Sequence, residues 1–360
     1  MTKRYRDGIV WFIGLIRAPH WWDSKLPLGL GIAYALAWRM RLPISALAYP
    51  MFVLLMAGVT LAIYASIYND LLDEDEDRRA GKVTGIMRLS PTGKKTALGL
   101  TLAAMVLTTG LLLRYPVALG IYLIGWVIFI LYSRPPVRLK ARGAWGVLCV
   151  SLGEQFLPFL LAVALIASAA GARPPIPWLA AMVVFAMAFG IRSILWHQLG
   201  DAENDRISGT NTLGAKYDAQ FLRRLGERYV FPVELCAFAI LLALSRSWMA
   251  WAALGMYLGM EALRVKCFRL KIVVVDPQPA FRFAMLEYYQ LFFPLAFLLE
   301  YARHGRSVAP LLIAQILLFP APVRVLVSDA ATILCSRLIP HLGNRAKRLI
   351  VSLQTRKSQG

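Results

Sequence analysis

Asn69-Asp70-Leu71-Leu72-Asp73-Glu74-Asp75-Glu76-Asp77-Arg78-Arg79-Ala80-Gly81-Lys82-Val83-Thr84 follows an apolar run and holds six of the chain's twenty carboxylates. Asn69, Asp73 and Asp77 fall at i, i+4 and i+8, on one face of a helix. Like charges at that spacing destabilise a helix. Carboxylates at a helix C-terminus also meet the negative end of its dipole. A solvated acidic helix end is the plain reading, and a divalent cation is the compensating partner that the chemistry suggests. A second stretch changes the balance. Displaced by 128 positions, Asp73 falls on Asp201, Asp77 on Asp205, Arg78 on Arg206, Gly81 on Gly209, Thr84 on Thr212 and Asn69 on His197. Both copies read D-x-x-x-D-R-x-x-G-x-x-T, so the chain carries an internal repeat.

Each copy ends a long apolar run, and the runs organise the rest of the sequence. The 360 residues are 58% hydrophobic and 17% charged, with mean hydropathy +0.58. That balance excludes a disordered chain, a soluble enzyme and a coiled coil, and leaves a polytopic membrane protein. Ten candidate spans can be drawn: 26–38 (its start open back to Trp21), 43–68, 96–113, 115–132, 145–169, 177–199, 229–245, 247–263, 283–301 and 307–323. The last is interrupted by Pro320 and Pro322, and a re-entrant hairpin is an equal reading of it. The two acidic copies end spans two and six, four spans apart, and so reach the same face. This is the pattern of parallel repeats related by an axis along the membrane normal. The expected fold is an all-α transmembrane bundle of nine to ten spans, with two parallel four-helix repeats, about 26–132 and 145–263, around a central cavity.

The net charge of +20 follows from orientation and not from nucleic-acid binding. With ten spans, one side carries 32 of the 40 Lys and Arg residues and the other seven, with Arg192 inside a span. The positive-inside rule then makes both termini cytoplasmic. Residues 1–25 are expected to be an interfacial N-terminal segment, with Trp21 and Trp22 as a membrane-surface anchor. The bundle fills 26–301, 302–325 is a further span or re-entrant piece, and 326–360 is a basic, partly amphipathic tail suited to anionic lipid. Cys149, Cys236, Cys267 and Cys335 are scattered without metal spacing, and no disulfide framework is expected.

Two acidic helix ends at one depth suit Mg²⁺, which takes oxygen ligands from one or two carboxylates plus substrate phosphates. Arg78, Arg79, Lys82 and Arg88 follow the first copy, and Arg206 and Lys216 the second, where phosphate oxygens need cations. Tyr132-Ser133-Arg134-Pro135-Pro136-Val137-Arg138-Leu139-Lys140 adds a hydroxyl pair and more cations at the same face. Glu154 lies about 15 Å below the cytoplasmic end of its span, and Arg192 lies within span six. Intramembrane charges of this kind are functional candidates by default. A mutual Glu154–Arg192 ion pair is the structural alternative, and Glu234 and Glu261 are further candidates.

These segments together resemble the UbiA superfamily of intramembrane prenyltransferases. Asn69-Asp70-x-x-Asp73-x-x-x-Asp77 has the form NDxxDxxxD, Asp201-x-x-x-Asp205 that of DxxxD, and Tyr132 to Lys140 that of YSxPPxRLK. Arg17-Ala18-Pro19 looks like a loosened N-terminal Arg-Pro signature. The resemblance covers roughly 15–300. Where many members follow the first motif with Arg-Pro, this chain has Gly81-Lys82-Val83-Thr84. The resemblance implies Mg²⁺-dependent transfer of an isoprenyl group from its diphosphate to a lipophilic acceptor, aromatic acceptors included, within the cell membrane. It places Asn69, Asp73, Asp201 and Asp205 on two Mg²⁺ ions with Asp77 in support. Arg17, Lys82, Tyr132, Ser133 and Lys140 would hold the diphosphate, joined by Arg78, Arg88, Arg206 and Lys216 as nearby cations. Asp73, Asp77, Asp201, Asp205 and Glu154 form the expected catalytic set. A membrane terpene cyclase uses the same ionisation without an acceptor. A cation transporter would instead place its ionisable residues at the bilayer midplane.

Overall fold

The computed structural model describes residues 3–79, 81–276, 281–305 and 307–335. The rest of the basic tail therefore lies outside the described residues. The chain is built almost wholly from helices: α1 (Lys3–Leu15), α2 (Trp22–Arg39), α3 (Ala48–Arg79), α4 (Pro91–Leu112), α5 (Pro116–Ser133), α6 (Ala144–Ser151), α7 (Leu157–Ala170), α8 (Ile176–Ser208), α9 (Leu213–Lys216), α10 (Ala219–Leu225), α11 (Phe231–Ser245) and α12 (Trp248–Phe268). Two three-residue strands follow, β1 (Lys271–Val273) and β2 (Phe281–Phe283), paired in parallel. Then come α13 (Phe293–Arg303), α14 (Ala309–Leu318) and α15 (Pro320–Ile333).

Helix length follows from local chemistry. Ser90 caps α4 by accepting from Gly93 N at 3.1 Å, with Pro91 at the first helical position. At the ends of α3 and α8 the repeat shows why its glycine is needed. Gly81 and Gly209 both take φ +72°. Lys82 N donates to Asp77 O at 2.8 Å and Gly81 N to Arg78 O at 3.2 Å. Thr210 N donates to Asp205 O at 2.9 Å and Gly209 N to Arg206 O at 3.2 Å. These are the same two bonds of a Schellman cap, formed twice, and the left-handed residue favours glycine.

Among the described residues, three spans contain a complete π turn: Leu152–Phe156 joins α6 to α7, Gly226–Val230 joins α10 to α11, and Tyr288–Phe292 leads into α13. Each is followed by a proline at its second position beyond the turn, Pro158, Pro232 or Pro294. Proline has no N–H and its ring crowds the carbonyl four residues back, so the preceding turn widens.

Among the described residues, six helical segments are long and apolar enough to cross a membrane, and a seventh if α14 and α15 count as one. Those two helices meet at 84°, at the prolines that interrupt the expected tenth span. The other helices of the bundle carry charges that lower their hydropathy. In α2 these are Asp23, Lys25 and Arg39, and in α12 Glu261, Arg264 and Lys266. Arg264 is fully buried and is neutralised by Glu261 at 2.6 Å, by Glu287, and by Asp329 of α15 at 2.8 Å. Arg282 joins the same group through Glu261 at 2.8 Å. Glu261 is thus part of a structural network that fastens α15 to α12.

The expected Glu154–Arg192 pair does not form. Arg192 binds Glu234 with two hydrogen bonds of 2.5 and 2.7 Å, and both side chains are completely buried. Tyr289 OH donates to the same carboxylate at 2.9 Å. Arg192 also donates to Val274 O and Ala284 O at 3.2 Å each. One guanidinium therefore fixes α8 against α11 and ties down the strap that carries β1 and β2. The guanidinium lies over the Phe189, Phe231 and Phe283 rings, at 5.5, 5.0 and 4.2 Å, and Phe185, Phe189, Phe238, Tyr288 and Phe293 belong to the aromatic core of this half of the bundle.

The tryptophan pair is engaged within the protein. Trp21 is buried and donates to Ile16 O at 2.9 Å, and Trp22 donates to Leu318 O at 2.6 Å, so both serve the packing of α2.

Candidate active site

The C-terminal ends of α3 and α8 face each other across a cavity of about 400 Å³. Asn69, Asp73, Asp77, Asp201, Asp205, Arg17, Lys82, Tyr132, Lys140 and Glu154 all line it. The cap geometry is what sets the wall. Asn69/His197, Asp73/Asp201, Glu76/Asn204, Asp77/Asp205, Lys82/Thr210 and Thr84/Thr212 each lie 128 positions apart, and all twelve residues face the cavity. His197, Asn204, Thr210 and Thr212 were legible from that displacement, because identical helix ends place equivalent residues alike. His20, Trp21 and Lys25 line it as well, from a stretch with no counterpart in the repeat.

Ser133 stands behind the wall and donates to Asn69 Oδ1 at 3.1 Å. Four of the expected phosphate-binding cations are not on the wall. Arg78 is exposed and pairs with Glu74 at 2.9 Å. Arg88 and Lys216 are exposed, and Lys216 sits over the Tyr217 ring at 5.5 Å. Arg206 donates to Ala215 O at 3.3 Å and Gly214 O at 3.5 Å, so it braces the loop after α8. Their helical or loop positions turn them outward.

The first acidic end is crowded with protein cations. Lys140 Nζ pairs with Asp73 and reaches Asn69 Oδ1 at 3.2 Å. Arg138 pairs with Glu76 and lies 3.6 Å from Asp73. Arg17 pairs with the buried Asp70, with Nε 3.3 Å from Oδ2. Burial draws Lys140 below its ordinary pKa, and the Asp73 carboxylate pulls the other way. Arg17 and Arg138 both adopt left-handed backbone angles, φ +50° and +38°. Such conformations cost non-glycine residues about 1 kcal/mol or more and gather at functional sites. Here these two strained residues aim guanidinium groups at Asp70 and Glu76 of the first acidic end.

The donor set fits Mg²⁺. Every carboxylate and amide on the two helix ends offers oxygen, and Thr84 Oγ1 is buried on the wall without a partner. Among the described residues no three His, Cys, Asp or Glu side chains converge closely enough to hold a metal alone. That suits an ion whose shell is completed by substrate phosphate and water.

Below the polar cavity lies an apolar one of about 130 Å³, lined by Leu54, Leu61, Ile121, Tyr122, Leu157 and Leu161 among others. Trp21, Lys25, Ala65, Ser66, Phe129 and Glu154 line both. Glu154, in the π turn, pairs with Lys25 at this junction.

The model of the UbiA prenyltransferase family matches residues 26–286. The chain belongs to the UbiA prenyltransferase family. A UbiA homolog from Archaeoglobus fulgidus bound to GPP and Mg²⁺ superposes with a TM-score of 0.50 at 17% identity, covering 88% of this chain and 99% of that one. The same homolog bound to DMAPP and Mg²⁺ gives 0.49 at 16% identity, covering 88% and 98%. At 17% identity the likeness to the GPP-bound structure speaks for the fold alone. In sequence, the chain is 27% identical over 129 residues to the bacteriochlorophyll synthase 33 kDa chain of Rhodobacter capsulatus. That match spans 36% of this chain and 42% of the relative, so less than half of the relative's length is covered.

Proposed function

We propose that this UbiA-family protein transfers a prenyl group from a prenyl diphosphate to a lipophilic acceptor inside the membrane, with two Mg²⁺ ions between the facing helix ends. The observation that carries this reading is the joint cavity: an oxygen-rich, cation-edged chamber continuous with an apolar one. A prenyl diphosphate has that same division into polar head and hydrocarbon tail. The Archaeoglobus homolog, solved with GPP and Mg²⁺ bound, supports it.

Asp73, Asp201 and Asp205, with Asn69 and Asp77, would hold the ions, which neutralise the charge that grows on the diphosphate as the C1–O bond breaks. Lys140, Lys82 and Arg17 face the same oxygens. Glu154 stands where the head meets the tail, next to the carbon that becomes cationic, and Tyr132 lines the polar chamber. The apolar walls exclude water from that carbon. The termini and the cavity mouth face the cytoplasm in this reading, on the charge bias of the loops.

The test is incubation of the purified chain with Mg²⁺, radiolabelled prenyl diphosphates and a membrane-lipid extract. A labelled lipid product that requires both Mg²⁺ and an acceptor fraction is expected. A labelled cyclic hydrocarbon formed without acceptor would replace this reading with a terpene cyclase.

A further inference from the structure

A third cavity of about 240 Å³ sits beside the first two. Its walls come from the first turn of α2, the π turn, α8 and the strap, through Ser24, Gln155, Phe189, Ser193, Trp196 and Phe283. It meets the polar cavity at His20, Lys25 and His197, which line both. The π turn serves two chambers with adjacent residues: Glu154 lines the polar and apolar cavities, and Gln155 lines this one. Lys25 lines all three, and its bond to Glu154 stands between them.

The wall chemistry is specific. Gln155 is 2% exposed, and its Oε1 is buried without a hydrogen-bond partner. A buried amide oxygen left unpaired costs about 1–3 kcal/mol, so it calls for a donor from a ligand. Ser66, Ser151 and Ser245 satisfy their hydroxyls on the carbonyl four residues back, whereas Ser193 makes no such bond. Trp196 and Phe283 stand edge to face at 6.0 Å, with Phe189 on the same wall. The cations do not suit an anion: Lys25 is committed to Glu154. Burial, aided by Arg17 and Lys25, keeps His20 below its ordinary pKa and therefore neutral near pH 7.

We infer that this cavity is the acceptor site, and that it takes the uncharged, hydroxyl-bearing head of a flat acceptor, with Gln155 and Ser193 reading the hydroxyl. The inference rests on the prenyl-transfer reading above. In the step it serves, an electron pair of the acceptor forms the bond to C1 of the prenyl chain. The C1–O pair departs on the diphosphate. The acceptor's proton passes to His20, which borders both chambers, and from there to the diphosphate.

The experiment uses the full chain in detergent and three photoprobes: 4-hydroxybenzophenone, 4-carboxybenzophenone and benzophenone. Cross-links are mapped by mass spectrometry, and Mg²⁺-dependent binding of geranyl diphosphate is measured in parallel. The hydroxyl probe should label the Phe189–His197 or Phe283–Leu286 segments at least tenfold more than the carboxyl probe. Ser193→Trp, which fills the cavity, should cut labelling at least tenfold with geranyl diphosphate affinity within twofold. Gln155→Leu should cut labelling by the hydroxyl probe about tenfold and leave benzophenone labelling unchanged. Labelling of α3 or α5 instead, equal labelling by the carboxyl probe, or unaltered labelling in Ser193→Trp overturns the proposal. Loss of geranyl diphosphate binding in both variants also overturns it, since the chambers would then not be separate. A wild-type chain that binds no geranyl diphosphate sinks the donor reading, an outcome distinct from any labelling result.

Discussion

On α3, Asp73 lies buried against Lys140 and near Arg138, Glu76 meets Arg138, Asp70 meets Arg17, and Glu74 meets Lys94 at 2.5 Å. On α8, Asp201 is exposed on the cavity wall, with no ion pair among the described residues, and Asp205 accepts a 2.8 Å hydrogen bond from Thr212. The two arms share a sequence pattern and a cap, yet Asp73 meets a protein cation while its counterpart Asp201 has no ion pair among the described residues. Its twin hydroxyl differs too: Thr212 is engaged with Asp205 and Ala215 N, while Thr84 Oγ1 has no partner. The first arm is thus ordered before substrate arrives, with Lys140 held between Asp73 and Asn69, two residues that the proposed reading gives to a metal ion. The second arm offers the exposed Asp201 carboxylate, and an incoming Mg²⁺ meets less competition there.

The largest effects should come from the arms themselves. Asp201→Ala and Asp73→Ala are each expected to lower kcat/KM by about 10³-fold or more, the scale of losing a group that stabilises transition-state charge. Chelation of wild type should abolish turnover, and Mg²⁺ should restore it. Thermal stability separates the arms. Asp73→Ala leaves the buried Lys140 short of its counter-ion and should lower Tm by several degrees, because an uncompensated buried charge is costly. Asp201→Ala should leave the metal-free Tm unchanged. Equal Tm losses in the two variants would erase the contrast drawn between them.

Lys140→Met sharpens the same contrast with a smaller effect on rate, about 10²-fold in kcat/KM through lost contact with the diphosphate. Removing the competing cation should at the same time raise the affinity of the first arm for Mn²⁺, read by electron paramagnetic resonance without substrate. A variant that loses both turnover and Mn²⁺ affinity would show that Lys140 holds the arm together rather than occupying its metal position.

The arms are legible in the sequence because metal and phosphate chemistry is written in residue type and spacing, and the duplication prints it twice. The all-helical bundle is legible in the apolar runs and loop charge. Partners inside the membrane are not. Depth pairs Arg192 with Glu154, but depth along a helix says nothing of azimuth, and the partner is Glu234. Each π turn adds a residue to its turn and rotates everything beyond it, so Glu154 faces Lys25 instead of Arg192. Arg78, Arg88, Arg206 and Lys216 mislead because any cytoplasmic loop is rich in such residues. His20 and Lys25 leave no pattern, since they stand in a non-repeated turn.

Glu154→Gln probes the junction below both arms. A direct role in the chemistry predicts about a tenfold fall in kcat, with donor affinity nearly unchanged. If the carboxylate only balances Lys25, both Glu154→Gln and Lys25→Met should lose stability and the double variant should regain much of it. Near-normal turnover in Glu154→Gln would sink the catalytic role.

The smallest effects test whether the repeat is chemical throughout or only along its inner face. Arg78 and Arg206 occupy equivalent positions, one residue past Asp77 and Asp205, and both point away from the cavity. Arg78 is 67% exposed in its pair with Glu74, and exposed pairs contribute about 0–1 kcal/mol. Arg78→Ala should therefore change kcat/KM by less than about twofold. Arg206 is bound to the carbonyls of Gly214 and Ala215, in the turn whose Thr212 positions Asp205. Its loss acts at one remove, and Arg206→Ala should raise KM for the donor about threefold, with Arg206→Lys recovering only part, because a single ammonium cannot reproduce the forked contact. A tenfold loss in Arg78→Ala would mean that the first arm swings its outer face toward the diphosphate when substrate binds, and the assignment of inner and outer faces drawn from the cap geometry would have to be reversed.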